Sequence, residues 1–335
     1  MSKSRFHRWF RNAAGLAAAC AAGVLGGVAT GAEAVAPEAT AVSVAPPSVA
    51  PSTPPPPYSI PWQLRPTAAT SVVRSDSSVA FYDTAGASGS TVATMLLGSY
   101  AVTPHLAPLL RLGFVQNQAP GANPDGSSFV NPIVGVTYAR RAGSLRWAAF
   151  AGGTIPVGAG SGDHPDPGVA AANTAGLQAR SGMDNAMFAV NYFTGIVGAD
   201  LAYVNHRLTV QAEATLFQLL RVHGDDAGGQ SSDAARTNST MGLHAGYFLL
   251  PFLSVGAELR YQRWLSTPTR LVMGTKTDFL PANKDTTTVA IGPRAHFAVG
   301  RGMFLRPGIS YARALDAPLT GFSYNMVQVD VPLVF

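Results

Sequence analysis

Leu253-Ser254-Val255-Gly256-Ala257-Glu258-Leu259-Arg260-Tyr261-Gln262-Arg263-Trp264 decides the fold. Leu253, Val255, Ala257, Leu259 and Tyr261 are apolar or aromatic, whereas Ser254, Gly256, Glu258, Arg260 and Gln262 between them are small or polar. A helix with charges at every second position would carry them round onto its buried stripe. A strand sends alternate side chains to opposite faces, so this stretch has one apolar and one polar face.

The dyad recurs outward from that stretch. Val210, Ala212 and Ala214 oppose Thr209, Gln211 and Glu213; Ile291, Ala295 and Phe297 oppose Gly292, Arg294 and His296; Leu305, Ile309 and Tyr311 oppose Arg306, Gly308 and Ser310. Short breaks at Thr103–Leu106, Ala142–Ser144, Asn205–Arg207, Leu250–Phe252 and Gly300–Gly302 alternate with polar stretches at Thr84–Ser88, Gln118–Ser128, Ala159–Asn185, His223–Arg236, Ser266–Lys284 and Asp316–Thr320. The rhythm predicts twelve strands, near residues 70–83, 89–102, 107–117, 129–141, 145–157, 190–204, 208–222, 237–249, 253–265, 285–299, 303–315 and 321–335. The first two are the least regular, and no helical periodicity stands out after residue 67.

An even strand count, short turns at one end and long loops at the other describe a closed antiparallel transmembrane β-barrel, an all-β fold. In lipid an open edge would leave backbone groups unsatisfied. A soluble sandwich of short strands would put charge on its outer faces, and here one face of each strand stays apolar. A helical membrane protein has its best window at Met241–Ala257, where Pro251 interrupts it.

Composition agrees. Charged residues are 12% of the 335, and the only lysines are Lys3, Lys276 and Lys284; soluble domains carry about 25% charge. Of 23 basic and 18 acidic residues, four and one fall in residues 1–34, so the remainder is near neutral and has no basic face for nucleic acid. Residues 1–34 read as a secretory signal: a basic start to Arg11, an apolar run from Ala13 to Thr30, and Ala32-Glu33-Ala34 as the small-x-small cleavage pattern. A retained anchor and a lipoprotein modified at Cys20 are the alternatives. Residues 35–66 read as a Pro/Ala-rich periplasmic linker, with Pro54 to Pro57 consecutive, and residues 67–335 as the barrel. Cys20 is the sole cysteine, so the chain beyond it has no disulfide framework and no thiol metal site.

The C-terminus sharpens the reading. Val327, Val329, Val331, Leu333 and Phe335 alternate to the last residue. This resembles the terminal assembly signal of Gram-negative outer-membrane β-barrel proteins, with Phe335, Leu333, Val331 and Val329 as the recognised residues. The resemblance implies an outer-membrane location, and outer-membrane lipids and the barrel assembly machinery as partners. Trp147, Tyr203 and Phe252 beside short turns, and Trp264, Tyr261 and Tyr324 toward long loops, suit two interfacial girdles.

Reading the inward phase puts Arg111, Arg146, Asp200, Glu213, Glu258, Arg260, Arg294, Arg306 and Asp330 in the lumen at overlapping heights. Such a lattice either braces a narrow barrel or forms a constriction that polar solutes pass. The leading reading is a porin-like passive channel or transporter for small polar solutes. The second is a non-enzymatic structural or surface-binding barrel with a closed lumen, and the third an outer-membrane hydrolase acting on lipid or peptide. His244 and His296 have lumen phase, and no Ser–His pairing stands on an outward face. Asp163 and Asp166 in one loop, and Asp225 and Asp226 in another, are weak candidates for a cation. No cofactor is expected, since no phosphate loop, zinc motif or nucleophile elbow is present.

Overall fold

The computed structural model describes residues 58–84, 86–163, 165–224, 233–266, 269–272, 275–278, 284–300, 302–316 and 319–335. The expected signal, Cys20, linker residues 35–57, Asp225 and Asp226 lie outside the described residues.

Twelve antiparallel strands form the wall: β1 (Val72–Thr84), β2 (Ala87–Ser99), β3 (Leu106–Gln118), β4 (Ile133–Ala142), β5 (Leu145–Thr154), β6 (Tyr192–Asn205), β7 (Leu208–Arg221), β8 (Ala235–Leu250), β9 (Leu253–Trp264), β10 (Asp285–Ala295), β11 (Gly308–Ala314) and β12 (Asn325–Val334). Phe297–Gly300 continues β10 past a break at His296, Met303–Leu305 leads into β11, and Gly126–Phe129 pairs with β3 ahead of β4. Each strand bonds to the next, and β12 pairs back onto β1 from Val72↔Val334 to Phe81↔Asn325. The sheet is closed.

The outer surface explains why closure is required. Val197, Leu201, Leu243, Ile291 and Ile309 are among many large apolar side chains that point outward and stay exposed. A soluble protein rarely shows a contiguous apolar patch above a few hundred Å², whereas a barrel wall in lipid must show one. β9 follows its predicted phase throughout: Ser254, Gly256, Glu258, Arg260 and Gln262 are buried inside, and Val255, Ala257 and Leu259 face out.

β1 is regular too, in a way its sequence hides. Arg74, Asp76 and Ser78 point inward and are buried. Ser75 and Ser77 take the outward face, where Ser77 shares a hydroxyl hydrogen bond with Thr94 of β2 (3.0 Å). The Thr84–Ser88 stretch, expected as one of the longer connections, is a tight hairpin pairing Thr84 with Ala87, with Gly86 at φ +81° supplying the left-handed turn.

Two further expectations are corrected. The 159–185 stretch contains a helix, α1 (Pro167–Ala179), followed by a one-turn helix α2 (Asn185–Phe188), and both fold into the lumen. Asp166 caps α1 by accepting from the Gly168 and Val169 amides (2.8 and 3.1 Å), and Pro167 fits the first turn. The buried face of α1 is built of Ala172, Ala175, Gly176 and Ala179, so it lacks the contrast of size that makes a helical stripe visible in sequence. The second correction concerns the linker: Tyr58–Pro66, expected in the periplasm, lie against the inner wall, with Trp62 and Leu64 fully buried.

Trp147, Tyr203 and Phe252 are exposed beside the short turns, as a girdle requires. Trp264 and Tyr324 are not girdle residues. They point inward, Trp264 under the Arg236 guanidinium (5.0 Å) and Tyr324 donating its hydroxyl to the Gln178 carbonyl of α1 (2.8 Å). At the strand ends the alternation passes through them in the inward phase, which aromaticity alone does not reveal.

Candidate functional site

The lumen is the site, and two segments of the chain occupy it. The wall explains why both are charged. The two-residue turn between β6 and β7 places Asp200 directly opposite Glu213, and closure places Asp76 directly opposite Asp330. Like charges at directly opposed cross-strand positions destabilise a sheet unless a cation lies between them.

Arg65, from the N-terminal segment, answers the first pair. Its side chain reaches Asp200 (3.4 Å), Glu213 (3.3 Å) and the Thr215 hydroxyl (2.7 Å), and stacks over Phe150 (5.2 Å). The second pair takes three arginines. Arg74 and Arg294 of the wall bind Asp330 (2.7 and 2.5 Å), and Arg180, just after α1, binds Asp76 (2.6 Å).

The N-terminal segment is held largely by its main chain. Glu258 accepts from the Trp62 and Gln63 amides (2.8 and 3.1 Å), and Glu213 from the Arg65 amide (2.6 Å). Thr209 accepts from the Ser59 amide (3.1 Å), and Gln211 donates to the Arg65 carbonyl (2.6 Å). Arg294 donates to the Ile60 carbonyl (3.1 Å), and Arg74 to the carbonyls of Pro61 and Trp62. Tyr58 donates to Gln211 (2.5 Å) and lies beneath Arg146 (4.8 Å). Burial pushes the Tyr58 phenol up to about 12 against the opposing hydrogen bond from Thr67, so it stays a donor.

The α1–α2 loop is held by its side chains. Asp184 takes Arg111 (2.5 Å) and Arg180 (2.8 Å). Burial raises the Asp184 carboxyl, but these two guanidinium groups outweigh it and hold it below the usual carboxylate range. Asn185 donates to Asn238 (2.8 Å), while Ala172, Ala179, Met187 and Phe188 join the apolar core with Met95, Val115, Ile133 and Phe217. Gln328 connects the two inserts: its amide donates to Asp76 (2.6 Å) and to the Trp62 carbonyl (3.3 Å), and it accepts from Arg260 (3.1 Å).

All nine residues read as lumenal project inward. Arg260 and Glu258 pair directly (2.5 Å), both fully buried. Arg306 stands partly buried at the short-turn end, over Phe304 (5.3 Å). Sequence reading missed Arg65, Arg74, Asp76, Arg180, Asp184 and Gln328. For Arg65 a signal existed: the Asn205–Leu208 turn sets the register that opposes Asp200 to Glu213, and an acidic pair at one height calls for a cation from elsewhere.

Between the N-terminal segment and the wall a cavity of about 120 Å³ remains, apolar along Met95, Leu109, Ile133 and Phe217 and polar at Arg111, Asp184 and Glu213. Asp166 spends its carboxylate on capping α1, and no group of three or more metal-ligating side chains occurs among the described residues. Among the described residues two Ser–His contacts occur, Ser254–His296 (2.8 Å) and Ser59–His244 (3.3 Å). Both point inward, away from the lipid face and the outer rim. The His244–Glu258 separation of 3.9 Å is beyond a hydrogen bond.

No family model matches the chain, and no curated protein matches it. Among solved structures, an outer membrane channel from Pseudomonas putida F1 aligns over 82% of this chain and 98% of its own, with a TM-score of 0.51 at 15% identity. The NanC porin (TM-score 0.43, 11% identity, 78% of this chain and 98% of its own) and the KdgM porin in complex with disordered oligogalacturonate (0.42, 10%, 78% and 99%) are more distant. The chain has the fold of an outer-membrane β-barrel: closed, twelve-stranded and transmembrane.

Proposed function

We propose that the chain is an outer-membrane channel for small polar solutes, closed in this state by its own N-terminal segment. The observation that carries this is the filling of the lumen. Two inserts occupy it beside the wall's inward side chains, and of the two Tyr58–Pro66 is the one held largely through its main chain, by hydrogen bonds that solvent can replace. Twelve strands enclose more room than the eight-stranded barrels that side chains fill. Export by a cleaved signal in residues 1–34, assembly through Phe335, and a Gram-negative host belong to the same proposal.

The second reading, a permanently closed structural barrel, is favoured by the ion pairs joining both inserts to the wall, Arg65 with Asp200 and Glu213, Asp184 with Arg111, and Arg180 with Asp76. Planar-bilayer recording separates them. A channel gives conductance steps once Tyr58–Thr67 is loosened; a structural barrel stays silent and only loses stability.

A further inference from the structure

We infer that the inner wall along β6–β10, β12 and β1 is a binding site for a peptide bearing an arginine, and that Tyr58–Pro66 occupies it as an intramolecular ligand. This stands apart from conduction, since a site can bind a peptide whether or not the barrel conducts.

The first ground is the direction of the contacts. Wall side chains supply acceptors to four amides of the segment, those of Ser59, Trp62, Gln63 and Arg65, and donors to four carbonyls, those of Ile60, Pro61, Trp62 and Arg65. Contacts to amides and carbonyls are available to any peptide that follows the same path, which bends at Trp62, Gln63 and Leu64. The Gln63 side-chain amide, by contrast, makes no hydrogen bond to the described residues. Recognition of the main chain with selected side-chain pockets is the way peptide sites work generally.

The second ground is the shape of the wall. Gly242, Gly246 and Gly198 are inward-facing strand positions where a side chain would normally fill the lumen. A methyl group at Gly242 would collide with Leu64, at Gly246 with Ser59, and at Gly198 with the Arg65 guanidinium. Glycine weakens a strand interior and marks close approach of another chain. Here three glycines on two strands form dents that match one segment.

The third ground is charge. Without Arg65, Asp200 and Glu213 face each other across β6 and β7 with no other ion pair to either among the described residues. An emptied site therefore keeps an acidic pocket sized for a guanidinium, beside the Phe150 ring that Arg65 now covers. Its ligand class is a peptide with an apolar residue immediately before arginine, as in Leu64-Arg65.

The test keeps the full chain and its wall. Trp62→Gly, Leu64→Gly and Arg65→Gly together weaken the resident segment. A synthetic peptide of residues 58–66, labelled at its N-terminus, is then titrated onto wild-type and triple-variant protein in detergent and read by fluorescence anisotropy. The variant should bind it at least about tenfold more tightly than wild type, and a peptide with Arg65→Glu should lose at least that factor. Adding Gly242→Val to the triple variant should abolish binding. Equal binding to wild type and variant, or indifference to the Arg65→Glu change, overturns the proposal. If the triple variant fails to give heat-modifiable, folded barrel, Arg65→Ala alone decides the matter by the same two comparisons. Peptide binding without conductance would leave this site standing and sink the channel reading; conductance without peptide binding would do the reverse.

Discussion

The two inserts fill one lumen by opposite means. The α1–α2 loop brings its own secondary structure, so its backbone is mostly satisfied before it meets the wall, and it docks through apolar side chains and the Arg111–Asp184–Arg180–Asp76 chain. Tyr58–Pro66 brings no secondary structure and relies on wall carboxylates, amides and guanidinium groups for its amides and carbonyls. An insert whose side chains complete an apolar core is part of the fold. One that borrows hydrogen bonds from a polar wall can trade them for water, the net value of each being about 0.5–1.5 kcal/mol between neutral groups and about 1.5–3 kcal/mol where a carboxylate or guanidinium takes part.

The largest effect should come from cutting the loop's anchor. Arg180 is fully buried with Asp76, Asp184 and Ser78 as partners, so Arg180→Ala should cost about 3–5 kcal/mol by leaving buried carboxylates uncompensated. Urea unfolding in detergent or lipid would read it. A loss no larger than that of Arg65→Ala would erase the contrast between the inserts.

Arg65→Ala should act differently. Arg65 keeps about a fifth of its side chain exposed, which lowers the electrostatic share, and the segment can leave without opening the apolar core. We expect a stability loss of roughly 1 kcal/mol together with frequent conductance steps in planar bilayers. Gly246→Val, which would displace Ser59 while leaving Arg65 in place, should give the same steps. Silence in both variants would make the segment as structural as the loop.

Acid should discriminate between them more gently. The folded Asp184 carboxyl lies below its unfolded value, so its contribution is present above about pH 4 and lost as pH falls through the folded value. Loop protection in hydrogen exchange should therefore decline only below about pH 4, and Asp184→Asn should remove most of that pH dependence. A loop that opens between pH 5 and 7 would point to another group. The smallest effect belongs to the lipid face: Val255→Ala and Leu259→Ala should change stability and conductance little, within about 0.5 kcal/mol.

The wall was legible because lipid imposes a rule on every strand. One face must be apolar, so β9 can be read residue by residue, and Glu258 and Arg260 fall on the inner face without reference to any neighbour. The inserts obey no such rule. Tyr58-Ser59-Ile60-Pro61-Trp62 follows four prolines and has the composition of a linker; only its pairing with residues about 150 to 270 positions away makes it a lining of the lumen. Pro167–Ala179 is hidden for a different reason, since an alanine face packs well but contrasts poorly with its own polar side. β1 lies between the cases. Its inward Arg74 and Asp76 have the correct phase, but outward Ser75 and Ser77 mask the alternation by bonding laterally.

The central claim is that release of Tyr58–Thr67, with the α1–α2 loop still in place, opens the barrel. Single-channel recording of wild type beside the Trp62→Gly, Leu64→Gly, Arg65→Gly variant, each confirmed as folded barrel, tests it directly. The account predicts a silent wild type and a variant with discrete, long-lived conductance steps. Steady wild-type conductance unchanged in the variant, or a folded variant that never conducts, would contradict it.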